Sequence, residues 1–475
     1  VKASIPAEPE VDTASVNGTP VNSAQLQATV PPRRNLAPPL RIVPRASGRR
    51  QWRAVQWLTV GIGVKRWGLL ALIGLSLAIL GAALFFAYRA VDFSYALINW
   101  VHDRTGYLVE SEVLGAVMLV GGCVLVAVGL RGTLHAVERT YALASPTKTD
   151  FLETAIRKRQ LEHGERVVAI GGGTGLSTML RGLKEYSSNI TAVVTMADDG
   201  GSSGKLRDDG LLPPGDLRNC IAALAEAEPL MQQLFQHRFE GLGSLKGHSL
   251  GNLIVAAMYE IKGDFESAVR ETANVLNIRG RVLPSTLDEV RLGARLADGS
   301  EIIGQCKVNK AEQIREVFLI PEAPSALPGV VAAIREADVI IIGPGSLYTS
   351  IIPNLLVPEI ADAIRVSSAP KIYVCNVMTQ PNETAHMKAS DHVRAIINHT
   401  GPGMVTHVLV NNGRVKEEVL ERYRQTGADY VVPDEDAISM LGVRPLHGNF
   451  VDVTNLVRHN PQKLASAIFR LAAKL

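Results

Sequence analysis

Apolar positions follow two different rhythms along this chain of 475 residues. Residues 67–88 and 113–130 are long apolar runs without a charged side chain. From residue 166 onward the apolar runs are short and alternate with segments of helical period. Those near 166–170, 190–196, 338–342, 372–375 and 405–410 predict buried strands. Such alternation predicts an α/β domain over 166–475, a mostly parallel sheet covered by helices. Val290, Leu292, Ala294 and Leu296 alternate ahead of Asp298-Gly299, with Ile302 beyond, and predict a β-hairpin insertion.

The long runs predict a different environment. At ~1.5 Å per helical residue, 67–88 reaches across the roughly 30 Å hydrocarbon core of a bilayer, and 113–130 sits at the short end of the spanning range. Neither shows the polar face of a soluble helix, so a transmembrane hairpin over 67–130 is expected, against the alternative of a buried core hairpin. Lysine and arginine crowd the segments on either side, whereas the connecting loop carries only Arg89 and Arg104. The positive-inside rule then places both termini and the 166–475 domain in the cytoplasm, in a multi-pass protein of the cytoplasmic membrane. The first run begins too deep in the chain for a cleaved signal peptide.

Composition changes the picture at the N-terminus. Residues 1–66 are rich in Pro, Ala, Ser and Arg with little to bury, which predicts a disordered basic tail, and 131–165 reads as a juxtamembrane linker or helix. The tail holds ten Lys/Arg against three Asp/Glu, plus 7; the whole-chain charge of plus 3 leaves the remainder at minus 4. The basic balance belongs to the tail, where it suits anionic lipid of the inner membrane, and no nucleic-acid partner is expected. Cys123, Cys220, Cys306 and Cys375 stand apart, without a C-x-x-C pair. They fit a reduced compartment and no structural zinc.

Candidate chemistry lies in the loops that follow strands. Gly171-Gly172-Gly173-Thr174-Gly175 leads from the first predicted strand into a helix whose Leu176, Met179, Leu180 and Leu183 share a face. Amides at a helix N-terminus, approached over side-chain-free glycines, form a cradle for phosphate, to which Thr174 adds a hydroxyl. A tight turn is the simpler explanation, but it needs fewer glycines. The G-x-G-x-x-G spacing of NAD dehydrogenases is absent, because Leu176 and Thr178 stand where a final glycine would fall.

The loop after the second strand combines Asp198, Asp199, Ser202, Ser203, Lys205 and Arg207. Asp198 or Asp199 suits a ribose hydroxyl or a Mg²⁺ carrying phosphates, with a solvated turn as the plain alternative. Pro213-Pro214-Gly215-Asp216 opens another helix, Asp216 being a candidate N-cap and Arg218 and Asn219 lying in its first turn. Gly343, Gly345 and Ser346 belong to a second glycine loop with hydroxyls, and Asn376 offers an amide to a base or sugar. Gly247-His248-Ser249-Leu250-Gly251 has the spacing of a hydrolase nucleophile elbow but no strand ahead of it. A helix N-terminus presenting His248, Ser249 and Asn252 is expected there.

Taken together, GGGTGLS, ADDGGSSGKLR, PPGDLRN, GHSLGN, GRVLPST, GPGSLYTSIIPNLL and NVMTQPNET resemble the bacterial gluconeogenesis-factor (YvcK-like) family. That family is similar to the 2-phospho-L-lactate transferase (CofD-like) family, and the resemblance spans Arg166 to the C-terminus. It implies a Rossmann-like fold with helices on both faces that binds a nucleotide sugar of the UDP-N-acetylglucosamine type. It also implies a part in gluconeogenic growth, cell-wall synthesis and cell shape, with cell-wall synthesis proteins as partners and a homo-oligomer as an assembly. By motif match, Thr174 is expected at the diphosphate and Arg458 is expected to reach the same ligand. Two functional classes follow. The favoured one is a non-catalytic sensor of a nucleotide sugar. The other is a phosphotransferase acting on a nucleotide diphosphate, with Asp198, Asp199 or Asp216 holding Mg²⁺. No residue stands out as a general base.

Overall fold

The computed structural model describes residues 87–105, scattered positions between 113 and 131, and 151–226, 229–241, 243–453 and 457–474. The chain divides into two units at Ala116/Val117. In the first, helix Ala87–Thr105 runs through the segment expected as a connecting loop. Arg89, Asp92, Asp103 and Arg104 interrupt its apolar pattern. Among the described residues, no helix is long and apolar enough to cross a membrane. That finding overturns the expected multi-pass placement in the membrane, and the expected transmembrane hairpin finds no support among the described residues. Residues 1–86, with the basic tail and nearly all of the first apolar run, lie outside the described residues; within 113–130 only isolated positions are described, each helical.

The second unit is built on a parallel sheet. Its strands are β1 (Val167–Gly171), β2 (Ile190–Val194), β3 (Arg281–Pro284), β7 (Val339–Ile342), β8 (Lys371–Val374), β9 (His407–Asn411) and β10 (Arg444–Gly448). They lie in the order β10-β9-β8-β7-β1-β2-β3, every pairing parallel. β1, β2, β7, β8 and β9 are buried at every position. Strands covered on both faces need unbroken apolar sequence, which is why these five are readable from the chain. β3 and β10 are edges containing Pro284 and Pro445, partly exposed and without such a run.

Strand order reverses between β1 and β7, so the crevice at their carboxyl ends is the switch point where ligands of such sheets collect. The predicted hairpin insertion is present and larger than expected. β4 (Arg291–Leu296) pairs antiparallel with β5 (Glu301–Ile303) and with β6 (Ile314–Ile320), giving a separate three-stranded sheet.

Helix Gly173–Leu183 packs through Leu176, Met179, Leu180 and Leu183, none of them exposed. Its Gly182 admits the close approach of helix Pro461–Ala472: a Cβ there would fall 2.0 Å from the Pro461 carbonyl oxygen. This contact fixes the helix that follows the first glycine loop.

Candidate functional site

The two glycine loops meet backbone to backbone at the switch point. β1 ends at Gly171, and Gly172, the extended N-cap residue before the helix, has no side chain with which to cap it. Gly173 has φ +62, the left-handed region that favours glycine. A Cβ on Gly175 would lie 2.5 Å from the carbonyl oxygen of Pro344, and one on Gly171 would touch Gly343 at 3.8 Å. Asn354 ties the loops together, its Nδ2 donating to the Gly171 carbonyl at 3.0 Å and the Ser350 carbonyl at 2.7 Å. The cluster therefore serves loop-to-loop contact as well as any phosphate. Thr174 is exposed in the first helical turn.

Asp216 has a different role from the expected N-cap. Pro214 precedes helix Gly215–Leu224, and Asp216 turns instead to the first loop, accepting the Gly173 amide. A Cβ on Gly172 would sit 2.6 Å from Asp216 Oδ2. Burial pushes the Asp216 carboxyl up to about 7, and nearby Asp198 adds to the rise. Burial likewise raises Asp198, opposed by the Gly200 amide at 3.0 Å and the Ser203 hydroxyl. Ser203 also accepts the Gly215 amide at 3.1 Å, so it links the two carboxylate segments and is spent on structure. Asp199, the other adjacent carboxylate, points to the insertion, where Oδ1 accepts the Cys306 amide at 2.8 Å. It does not join Asp198 and Asp216.

Arg218 lies on the same helix turn as Asp216, buried, donating through Nη2 to Asn219 Oδ1 at 2.7 Å. Its Nε and the Oδ1 of Asn252 are buried without a partner, a complementary donor and acceptor. Asn252 Nδ2 donates to Ser202 Oγ at 3.0 Å, and Ser202 Oγ lies 3.1 Å from His248 Nδ1. Ser249 is fully buried and caps helix Leu250–Lys262, accepting the Asn252 amide at 3.3 Å. The G-x-S-x-G serine is thus a cap, and His248 belongs to a Ser202–Asn252 network. Lys205 is exposed and reaches the Lys246 carbonyl at 3.2 Å.

Asn376 and Ser346 are committed within the second loop. Asn376 accepts the Gly345 amide at 3.3 Å and donates to the Gly345 carbonyl at 2.8 Å. Ser346 accepts from Gln380 Nε2 at 2.7 Å. Arg458 is exposed on β12 (Val457–His459), which pairs antiparallel with β11 (Val451–Val453) and packs beside helix Gly173–Leu183. A cleft of about 360 Å³ between Arg207, Leu211, Tyr259 and Phe265 contains, of the candidate residues, only Arg207. Sequence reasoning missed Asn354 and Glu383. A lone amide in the apolar run Ile351-Ile352-Pro353-Asn354-Leu355 was a signal for the first, and the second lies in the motif NVMTQPNET, which does not show what it bonds.

Mg²⁺ fits the Asp198–Asp216 pair: such an ion takes one or two carboxylates, keeps several waters and shares the rest of its shell with phosphate. No cluster of three or more His, Cys, Asp or Glu ligands occurs among the described residues. The arrangement sets a glycine-lined helix N-terminus, its Gly173 amide taken by Asp216, beside two carboxylates that resist ionising together.

Comparison with known proteins agrees with this architecture. Residues 167–451 match the family described as 2-phospho-L-lactate transferase CofD. A Nostoc protein named putative gluconeogenesis factor is 47% identical over 425 residues, 88% of this chain and 92% of its own. The Bacillus subtilis gluconeogenesis factor is 48% identical over 309 residues, 64% of this chain and 98% of its own. A Bacillus halodurans crystal structure has a TM-score of 0.62 at 48% identity, covering 64% of this chain and 99% of that one. The Nostoc match is too long to be confined to residues 166–475, so the similarity extends into the N-terminal part. The chain belongs to the CofD family, among relatives named gluconeogenesis factor.

Proposed function

We propose that the 166–475 domain binds a nucleotide sugar of the UDP-N-acetylglucosamine type and acts as a regulatory factor in gluconeogenic growth, cell-wall synthesis and cell shape. The observation that carries this reading is the glycine-lined N-terminus of helix Gly173–Leu183, set at the switch point, walled by the second glycine loop and, among the described residues, with only its Gly173 amide taken by Asp216. Backbone amides there suit a diphosphate, and the Arg218–Asn252 pair of unpartnered groups offers a donor and an acceptor to polar parts of a ligand. Names of the relatives support the gluconeogenic setting.

A Mg²⁺-dependent transferase is the second reading, favoured by the Asp198–Asp216 pair beside the expected diphosphate. A divalent ion there would neutralise phosphate charge while a hydroxyl attacks. Mg²⁺-dependent release of free nucleotide from a nucleotide diphosphate substrate separates this reading from the sensor.

Calorimetry of the full chain against UDP-N-acetylglucosamine, GDP and NAD tests the ligand. The UDP-sugar is expected to bind roughly tenfold or more tightly than NAD. Thr174→Val is expected to weaken it about fivefold, the worth of one hydroxyl hydrogen bond. Failure of every UDP-sugar to bind would end the sensor reading.

A further inference from the structure

The sheet carries two glycine loops, and by the chemistry of the first the second would also suit phosphate. The second one is already filled. Glu383, only 4% exposed, reaches the helical turn Leu347–Ile351 that follows Gly345-Ser346. Its Oε1 accepts the Tyr348 amide at 2.7 Å and the Thr349 amide at 3.2 Å. Ser346 donates its hydroxyl to the same carboxylate. Amides leading such a turn are what phosphate oxygens take when a glycine loop binds them, and here a carboxylate of the chain holds them.

The surrounding groups are turned the same way. Because Ser346 accepts from Gln380 Nε2 at 2.7 Å, its single proton is the one directed to Glu383. Asn376 spends both amide atoms on Gly345. The buried atoms left without a partner here are Glu383 Oε2 and Gln380 Oε1, both acceptors. Lone pairs and a carboxylate repel a phosphate and welcome a hydrogen-bond donor.

We infer that Glu383 is a resident carboxyl group that closes the second glycine loop to phosphate, making it a specificity residue. Ligand phosphates are left with the 171–175 loop, where Asp216 takes a single amide, that of Gly173, against the two taken by Glu383, and what meets the second loop is an uncharged, donor-bearing part such as a sugar hydroxyl or amide N–H. The ligand half of this inference rests on the nucleotide-sugar reading; the role of Glu383 does not.

Two measurements on the full chain separate these halves. The first is thermal melting in sodium formate against sodium chloride at equal ionic strength. Glu383→Ala is expected to lower Tm by roughly 5 °C or more, with at least half recovered in formate, whose carboxylate takes the vacated amides. Wild type and Glu383→Gln, which keeps an acceptor at Oε1, respond equally to the two salts. A Glu383→Ala chain that folds only in formate supports the inference equally, and one unmoved by formate overturns it.

The second is calorimetry with inorganic pyrophosphate. Wild type is expected to show one site, and Thr174→Asp, which sets a carboxylate in the exposed first turn, is expected to lose roughly tenfold or more in affinity. Glu383→Ala gains a second, weaker site. Pyrophosphate bound by Thr174→Asp as by wild type places phosphate elsewhere and overturns the confinement. Absence of pyrophosphate binding to wild type counts against the nucleotide-sugar reading, while the formate result still decides the role of Glu383.

Discussion

Replacing Gly175 with alanine is expected to cost the domain about 2 kcal/mol and to lower nucleotide-sugar affinity by roughly tenfold or more. The added Cβ would stand 2.5 Å from the Pro344 carbonyl oxygen, 2.8 Å from its carbon and 3.0 Å from Gly345 Cα. All three are backbone atoms, so no side chain can rotate away and the loops must part. Neither loop is free to yield alone, because Asn354 holds the first at the Gly171 carbonyl and Asn376 holds the second at Gly345. Gly173→Ala is the informative control. That position has φ +62 but no atom closer than 3.9 Å to a new Cβ, so it introduces backbone strain without a collision. Urea denaturation and calorimetry on both variants distinguish the effects. Wild-type affinity in Gly175→Ala would show that loop contact does not shape the site.

The second large effect is on the pH dependence of stability, and it comes from Asp216. Burial and the proximity of Asp198 raise its carboxyl from 3.8 to about 7 in the folded protein. Between those values the native state holds a proton that the unfolded chain has released. Stability therefore falls as pH rises from about 4 to about 7. Asp216→Asn keeps an acceptor for the Gly173 amide and removes the titration, so this variant is expected to outlast wild type at pH 8 by about 2 kcal/mol. Glu383, raised by burial from 4.5 to about 7, adds a fall of the same sign. Melts from pH 4.5 to 8 check both, and parallel profiles for wild type and Asp216→Asn would refute the assignment. Mg²⁺ bound to the ionised pair should shrink the wild-type loss near pH 8 and leave the Asn variant less affected.

The same geometry explains what could be read from the chain and what could not. Five strands announce themselves because burial on both faces demands Val167-Val168-Ala169-Ile170 and its counterparts. The glycine run announces a helix N-terminus open to anions. That Gly175 makes room for Pro344 depends on the register of β1 against β7, pairing Val167 with Val339, and that Gly172 makes room for Asp216 depends on how helix Gly215–Leu224 packs against helix Gly173–Leu183; no local pattern encodes either. Asp198 and Asp199 are equivalent as letters. Folding turns one toward Asp216 and the other toward the Cys306 amide of the insertion. Two uncharged apolar runs suggested a membrane hairpin, yet a helix at Ala87–Thr105 carries its charges through the segment expected as the turn. Glu383 was silent because its character comes from burial beside a loop that is distant in sequence.

The close seat of Pro461 on Gly182 has a consequence for biogenesis. Helix Gly173–Leu183, which bears the proposed diphosphate cradle, is among the first elements of its domain to leave the ribosome. The segment that clamps its outer side is among the last described. β1 likewise waits for β7 before its second neighbour arrives. A nascent chain halted before residue 461 would carry the glycine loop in full and still lack the support that aims it. Competence to bind would then arrive late in synthesis and abruptly, so a truncated product should compete little with the full chain for ligand.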